Sequence, residues 1–75
     1  MTLSQLKQGE SAIIATINAD KTLKHRFHAF GFGKGVIVTV NKYSMAKGTM
    51  EVAFKRNKIA LRTSEATCIE VEAIT

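Results

Sequence analysis

The spacing of apolar residues changes period along the chain. From Ser11 to Asn18 the run Ser-Ala-Ile-Ile-Ala-Thr-Ile-Asn is rich in β-branched residues and predicts a strand. Asn18-Ala19-Asp20 interrupts it, and Asp20 is a suitable helix N-cap. Between Lys21 and Phe30 the apolar residues Leu23, Phe27 and Phe30 recur at i, i+4 and i+7, the single stripe of an amphipathic helix. Lys21, Lys24, His25 and His28 share the opposite face, and Arg26 flanks the stripe. Gly31 is placed to end the helix in the left-handed conformation, and Gly35 to open the next strand.

Period two then takes over. Gly35 to Tyr43 sets Val36, Val38 and Val40 on one face. Ser44 to Thr49 reads as a hairpin-like loop. Met50, Val52 and Phe54 form the next inward set, Arg56-Asn57 a tight turn, and Ile59 and Leu61 another alternating pair. Thr63 to Ala66 suggests one helical turn capped by Thr63 or Ser64. Ile69 and Val71 alternate with Glu70 and Glu72 in a last strand. Before all this, Leu3 and Leu6 precede the turn Lys7-Gln8-Gly9 as a short apolar anchor. About five short strands with a helix after the first, and a helical turn before the last, imply a mainly β chain closed or nearly closed into a small barrel, because closure removes adhesive edges.

With 75 residues, the chain is expected to form one domain over 1–75. A domain this small buries only ~60% of its unfolded surface, which leaves no room for a large active-site cleft. Charge adds a second theme. The net charge is +5, and every basic residue except Lys7 lies between Lys21 and Arg62, where Glu51 is the single acidic residue. Such a field attracts nucleic acid, anionic lipid or an acidic protein, and it also serves solubility alone. Cys68 is the only cysteine, so no intrachain disulfide forms. No apolar run follows Met1-Thr2-Leu3 as in a signal peptide, and none approaches a membrane span of ~20 residues. A cytoplasmic location is the expectation.

The candidate chemistry is sparse. Gly31-Phe32-Gly33-Lys34-Gly35 is glycine-rich, but it follows a helix and precedes a strand, the reverse of a nucleotide loop. No paired carboxylates and no Ser/His/Asp set stand out, so the chain is not expected to be an enzyme and no cofactor is expected. His25 and His28 have a spacing that two metal ligands can use, but Lys21 and Lys24 on the same face repel a cation, so no metal site is assigned. Cys68 reads as a small buried or strand-edge residue. Arg26 either lies along the helix flank or ties the helix to a backbone carbonyl or the acidic last strand. Phe32, Met45 and Met50 are candidate exposed apolar contacts; core positions suit Phe32 and Met50 better, whereas Met45 sits at a loop tip.

Three segments resemble the FeoA family of bacterial ferrous iron transport. Leu3-Ser4-Gln5-Leu6-Lys7-Gln8-Gly9 is similar to its Leu-x-x-Leu-x-x-Gly opening. Arg26-Phe27 through Gly31-Phe32 and Gly35 resembles its Arg-Leu-x-x-Met-Gly-Ile-x-x-Gly core. Ile59-Ala60-Leu61-Arg62, Glu65-Ala66 and Ile69-Glu70-Val71 resemble its closing Ala-Leu-Arg, Glu-x-Ala and Ile-x-Val pattern. Phe27 and Phe30 stand where smaller Leu and Met are usual, Gly33-Lys34 where Thr-Pro is frequent, and the 44–49 loop lacks the customary prolines. The resemblance implies an SH3-like barrel. It also implies a small cytoplasmic accessory protein acting by protein–protein contact with the membrane ferrous iron transporter FeoB. Lys21, Lys24 and Lys47 are then candidate partner-binding charges, and Met45 the candidate apolar contact. The same barrel forms the C-terminal domain of iron-dependent repressors of the diphtheria-toxin-repressor type, but no winged-helix segment precedes it here. The alternatives are a basic nucleic-acid-binding barrel, which Tyr43 as the single tyrosine equips poorly for base stacking, and a free-standing metal-sensing domain.

Overall fold

The computed structural model describes residues 1–46 and 48–74; Lys47 and Thr75 are outside it. A 3-10 turn, Leu3–Gln5, opens the chain. It is followed by β1 (Ser11–Ile17), α1 (Lys21–Ala29), β2 (Ile37–Tyr43), β3 (Thr49–Phe54), β4 (Asn57–Arg62), α2 (Thr63–Ala66) and β5 (Ile69–Ala73). The strands form one antiparallel sheet in the order β4-β3-β2-β1-β5. This is the expected mainly β fold, with a helix after the first strand and a helical turn before the last.

The alternating residues supply the core. Val38 and Val40 of β2, Met50, Val52 and Phe54 of β3, Leu61 of β4 and Ile69 and Val71 of β5 are buried, as are Ala12, Ile14 and Ile17 of β1. Among the described residues no polar or charged side chain is buried. The core is therefore held by apolar contact alone, which is non-directional and depends on packing shape.

The helix supplies the shape. Asp20 caps it, its Oδ1 accepting from the Leu23 N–H at 2.8 Å. At the other end the expected stripe fails at its last member. Phe30 is the C-cap and is 52% exposed. Gly31 follows at φ +82°, and the Phe32 N–H turns back to the Phe27 carbonyl at 2.9 Å while the Gly31 N–H donates to the His28 carbonyl at 2.9 Å. This is a Schellman closure. It turns the chain so that Phe32, not Phe30, enters the core. The Phe32 ring lies 5.4 Å from Phe27 and 5.1 Å from Phe54, the latter edge-on.

Two other local expectations are corrected. The β3–β4 turn is Lys55-Arg56, not Arg56-Asn57: Phe54 pairs with Asn57, and Lys55 adopts φ +55°. Thr63 and Ser64 do not cap α2. Arg62 is its N-cap residue, and the Arg62 N–H donates to Glu65 Oε1 at 2.9 Å. Glu65 reaches back from the first turn, where its charge also suits the helix dipole. Cys68 is half-buried with its thiol directed at the Ser64 carbonyl, 3.8 Å away.

The N-terminal segment covers one sheet edge. Thr2 bridges to Glu70, and the Val71 N–H donates to the Met1 carbonyl at 2.8 Å. Leu3 and Leu6 are buried beneath it. Tyr43, at the end of β2, fastens this segment by donating its hydroxyl to the Leu6 carbonyl and, at 3.3 Å, to the Ser4 carbonyl. At the opposite edge β4 has a strand neighbour on one side only.

Two outcomes follow from these contacts. Phe27→Ala should lower unfolding free energy by ~3–5 kcal/mol, and Phe30→Ala by no more than ~0.5 kcal/mol, as measured by urea titration. For Tyr43, burial and, secondarily, the charge of Glu10 hold the hydroxyl protonated above its ordinary pKa of 10.0. The stability this confers is complete below the unfolded value of 10.0 and declines as pH rises through it toward the folded value. Tyr43→Phe should cost ~1–2 kcal/mol at neutral pH, because two carbonyls lose their donor. Thermal melts on either side of that pH should show a shallower alkaline decline in the variant than in the parent.

Candidate functional site

A surface concavity lies where the N-terminal segment, the end of β2 and the start of α2 meet. It is lined by Ser4, Leu6, Lys7, Gln8, Tyr43, Ser44 and Thr63, with a volume of about 580 Å³. Its shape follows from the fastening by Tyr43, which holds the backbone at Ser4 and Leu6 against β2. The loop after β2 forms one rim. There the Ser44 N–H donates to the Thr49 carbonyl at 2.9 Å and Ser44 Oγ accepts from the Thr49 N–H at 3.2 Å. The Thr63 N–H reaches the Gly48 carbonyl at 2.9 Å, tying the loop to α2.

Met45 projects from this rim fully into solvent, at 105% relative exposure. An unbranched, polarizable side chain presented in this way suits contact with an adaptable protein surface. Lys21 and Lys24 are exposed on α1. α1 joins the start of β2, whereas Met45 follows its end, and the seven residues of β2 span about 20 Å. The structure thus puts Met45 with the groove and the two lysines toward the other end of the sheet. Lys47 lies outside the described residues.

The other singled-out residues resolve differently. Met50 and Phe32 are core residues, 1% and 0% exposed. Arg26 is exposed in the last turn of α1, and among the described residues its guanidinium has no hydrogen-bond or ion-pair partner. Of the two alternatives, the tie to a backbone carbonyl or to the last strand is thus not made; its charge sits favourably at the negative end of the helix dipole. His25 and His28 are both exposed. Among the described residues no three His, Cys, Asp or Glu side chains gather as a metal-binding group, and no helix is long and apolar enough to cross a membrane.

Tyr43, which lines this concavity and fastens the N-terminal segment, is not among the residues that the sequence singled out as contacts. Its position at a strand end, one residue before a loop, was the available signal, since a Tyr hydroxyl there can reach a neighbouring backbone that offers free carbonyls. Phe30 departs from its expected burial for a related reason: periodicity does not register the Schellman reversal.

Comparisons with known proteins agree with this architecture. A family model described as the FeoA domain matches residues 1–73. A Campylobacter jejuni protein, provisionally named Fe(2+) transport protein A, is 40% identical over 74 residues, covering 99% of this chain and 100% of the relative. Among solved structures, the FeoA protein of Chlorobium tepidum is 25% identical with a TM-score of 0.96, covering 100% of this chain and 71% of that one. The FeoA of Stenotrophomonas maltophilia, solved with zinc and described as a prokaryotic SH3 domain protein, is 30% identical with a TM-score of 0.82, covering 96% and 89%. With the family model spanning nearly the whole chain and the five-stranded SH3-like fold matching its solved members, this chain belongs to the FeoA family of non-enzymatic transport accessory proteins.

Proposed function

We propose that this protein is a cytoplasmic accessory subunit of bacterial ferrous iron uptake that acts by docking on the membrane transporter FeoB. The observation that carries the reading is the whole-length relationship to a provisionally named Fe(2+) transport protein A, joined to a surface suited to contact rather than chemistry. Docking would bias one conformational state of the transporter, which requires only that the protein bind that state more tightly.

The groove beside Met45 supplies the short-range part of the contact. Leu6 and Tyr43 line it, and Met45, which follows the lining residue Ser44, is fully exposed. A desolvated apolar centre of this kind holds a complex together. Lys21, Lys24 and Lys47 supply the long-range part, since distributed charge mainly accelerates encounter. The nucleic-acid reading is less well supported. Phe30 is the one exposed aromatic among the described residues, so no stacking platform spans the sheet.

Binding kinetics against the soluble cytoplasmic domain of FeoB test this division. Reversing Lys21, Lys24 and Lys47 to Glu should slow association about tenfold at low salt and flatten its salt dependence. Met45→Ala should leave association unchanged and raise the dissociation rate about tenfold, equivalent to ~1.4 kcal/mol. If both variants bind as the parent does, the contact lies on another face.

A further inference from the structure

A second concavity, of about 210 Å³, lies between α1 and β1 and is lined by Ala15, Thr16, Ile17, Lys24, His28 and Lys34. Its composition is unusual for so small a space. Two of the six residues are lysines and a third is histidine, and no carboxylate lines it. Glu72 belongs to the neighbouring depression along β1, which shares Ala15, Thr16 and Lys34 with it.

Three independent features of the fold bring these groups together. Lys24 and His28 are four residues apart on α1, so they stand one above the other on a single helix face. Gly33 brings the following turn hard against His28: a Cβ at Gly33 would sit 3.3 Å from the His28 Cδ2. The absence of a side chain there lets the backbone close on the imidazole and sets Lys34, the next residue, at the mouth of the same space. The third feature is a register shift in β1 between Ile14 and Thr16. An ordinary strand alternates its side chains between faces, whereas the bulge allows Ala15, Thr16 and Ile17 all to border one concavity. Thr16 contributes a hydroxyl that can donate as well as accept.

We infer that this concavity is a binding site for a phosphate-type oxyanion, held by Lys24, His28 and Lys34 with Thr16 at its edge. Two ammonium groups, an imidazole N–H and a hydroxyl border the concavity from α1, the turn after that helix and β1, an arrangement that serves several oxygens of one tetrahedral anion through charge-assisted hydrogen bonds. The same charges exclude a metal cation. The inference does not rest on the transporter reading: the concavity shares no lining residue with the groove beside Met45, and Lys24 alone also belongs to the charges assigned there to encounter.

The test is a titration of the full chain with inorganic phosphate, followed by two-dimensional NMR at ionic strength held constant with sodium chloride. Saturable shifts are expected at the amides of Thr16 and Gly33 and at the His28 ring. Lys24→Gln and Lys34→Gln should each weaken binding about tenfold, while Lys58→Gln on β4 should change it less than twofold. Gly33→Ala, which crowds His28, should also weaken it. Adenosine monophosphate competing for the site identifies a soluble phosphomonoester as the source. Vesicles containing phosphatidic acid broadening the same amides identify a lipid headgroup, and a response to phosphate alone assigns the free anion. Shifts reproduced by chloride, acetate binding as tightly as phosphate, or lysine variants that titrate like the parent would each overturn the proposal.

Discussion

The packing of Phe32 between Phe27 and Phe54 is the contact on which the rest of the molecule depends. It joins the helix to β3 of the sheet, in a core where, among the described residues, no polar side chain is buried to fix its geometry. The contact exists because Gly31 takes a left-handed conformation and reverses the chain within two residues. The same reversal decides what the surface looks like. It turns Phe30 outward, and it delivers Gly33 and Lys34 to the His28 side of the helix. One backbone conformation therefore organises core and exterior together.

The other end of the sheet is organised by a side chain. Tyr43 bonds two backbone carbonyls of the N-terminal segment, and the Gly9 N–H adds a bond to the Val40 carbonyl at 2.7 Å. Without these the groove beside Met45 would lack one wall. The molecule has two differently built surfaces. One is a groove shaped by a tyrosine and edged with an exposed methionine; the other is a basic hollow shaped by a glycine turn and a strand bulge.

Much of the architecture was legible in the sequence because alternation and helical spacing report directly on burial. Val38, Val40, Met50, Val52, Phe54 and Ile69 all face inward as their period demands. The misses share a cause: each depends on a reversal or a backbone bond that periodicity does not encode. Phe30 continues the helical stripe on paper but lies past the last helical residue. Lys55 takes a left-handed turn position that propensity would give to Asn57. At α2 the capping oxygen comes from Glu65, three residues into the turn, and not from the hydroxyl residues at its start. For the site, the sequence disclosed which charges were available but not which share a concavity. Lys24 and Lys34 meet only because the turn folds back, and Met45 parts from Lys21 and Lys24 only because β2 stands between them.

The strand order has a consequence for life in a crowded solution. A five-stranded sheet that does not close leaves two rows of backbone groups able to recruit a strand from another molecule. Here the β5 row is occupied by the N-terminal residues. Among the described residues the β4 row has no strand on its outer side, and along it Lys58 and Arg62 are both exposed. Two copies approaching through β4 would bring like charges into register, so electrostatic repulsion opposes growth of the sheet from chain to chain. The charges on β4 thus oppose edge-to-edge pairing of two copies.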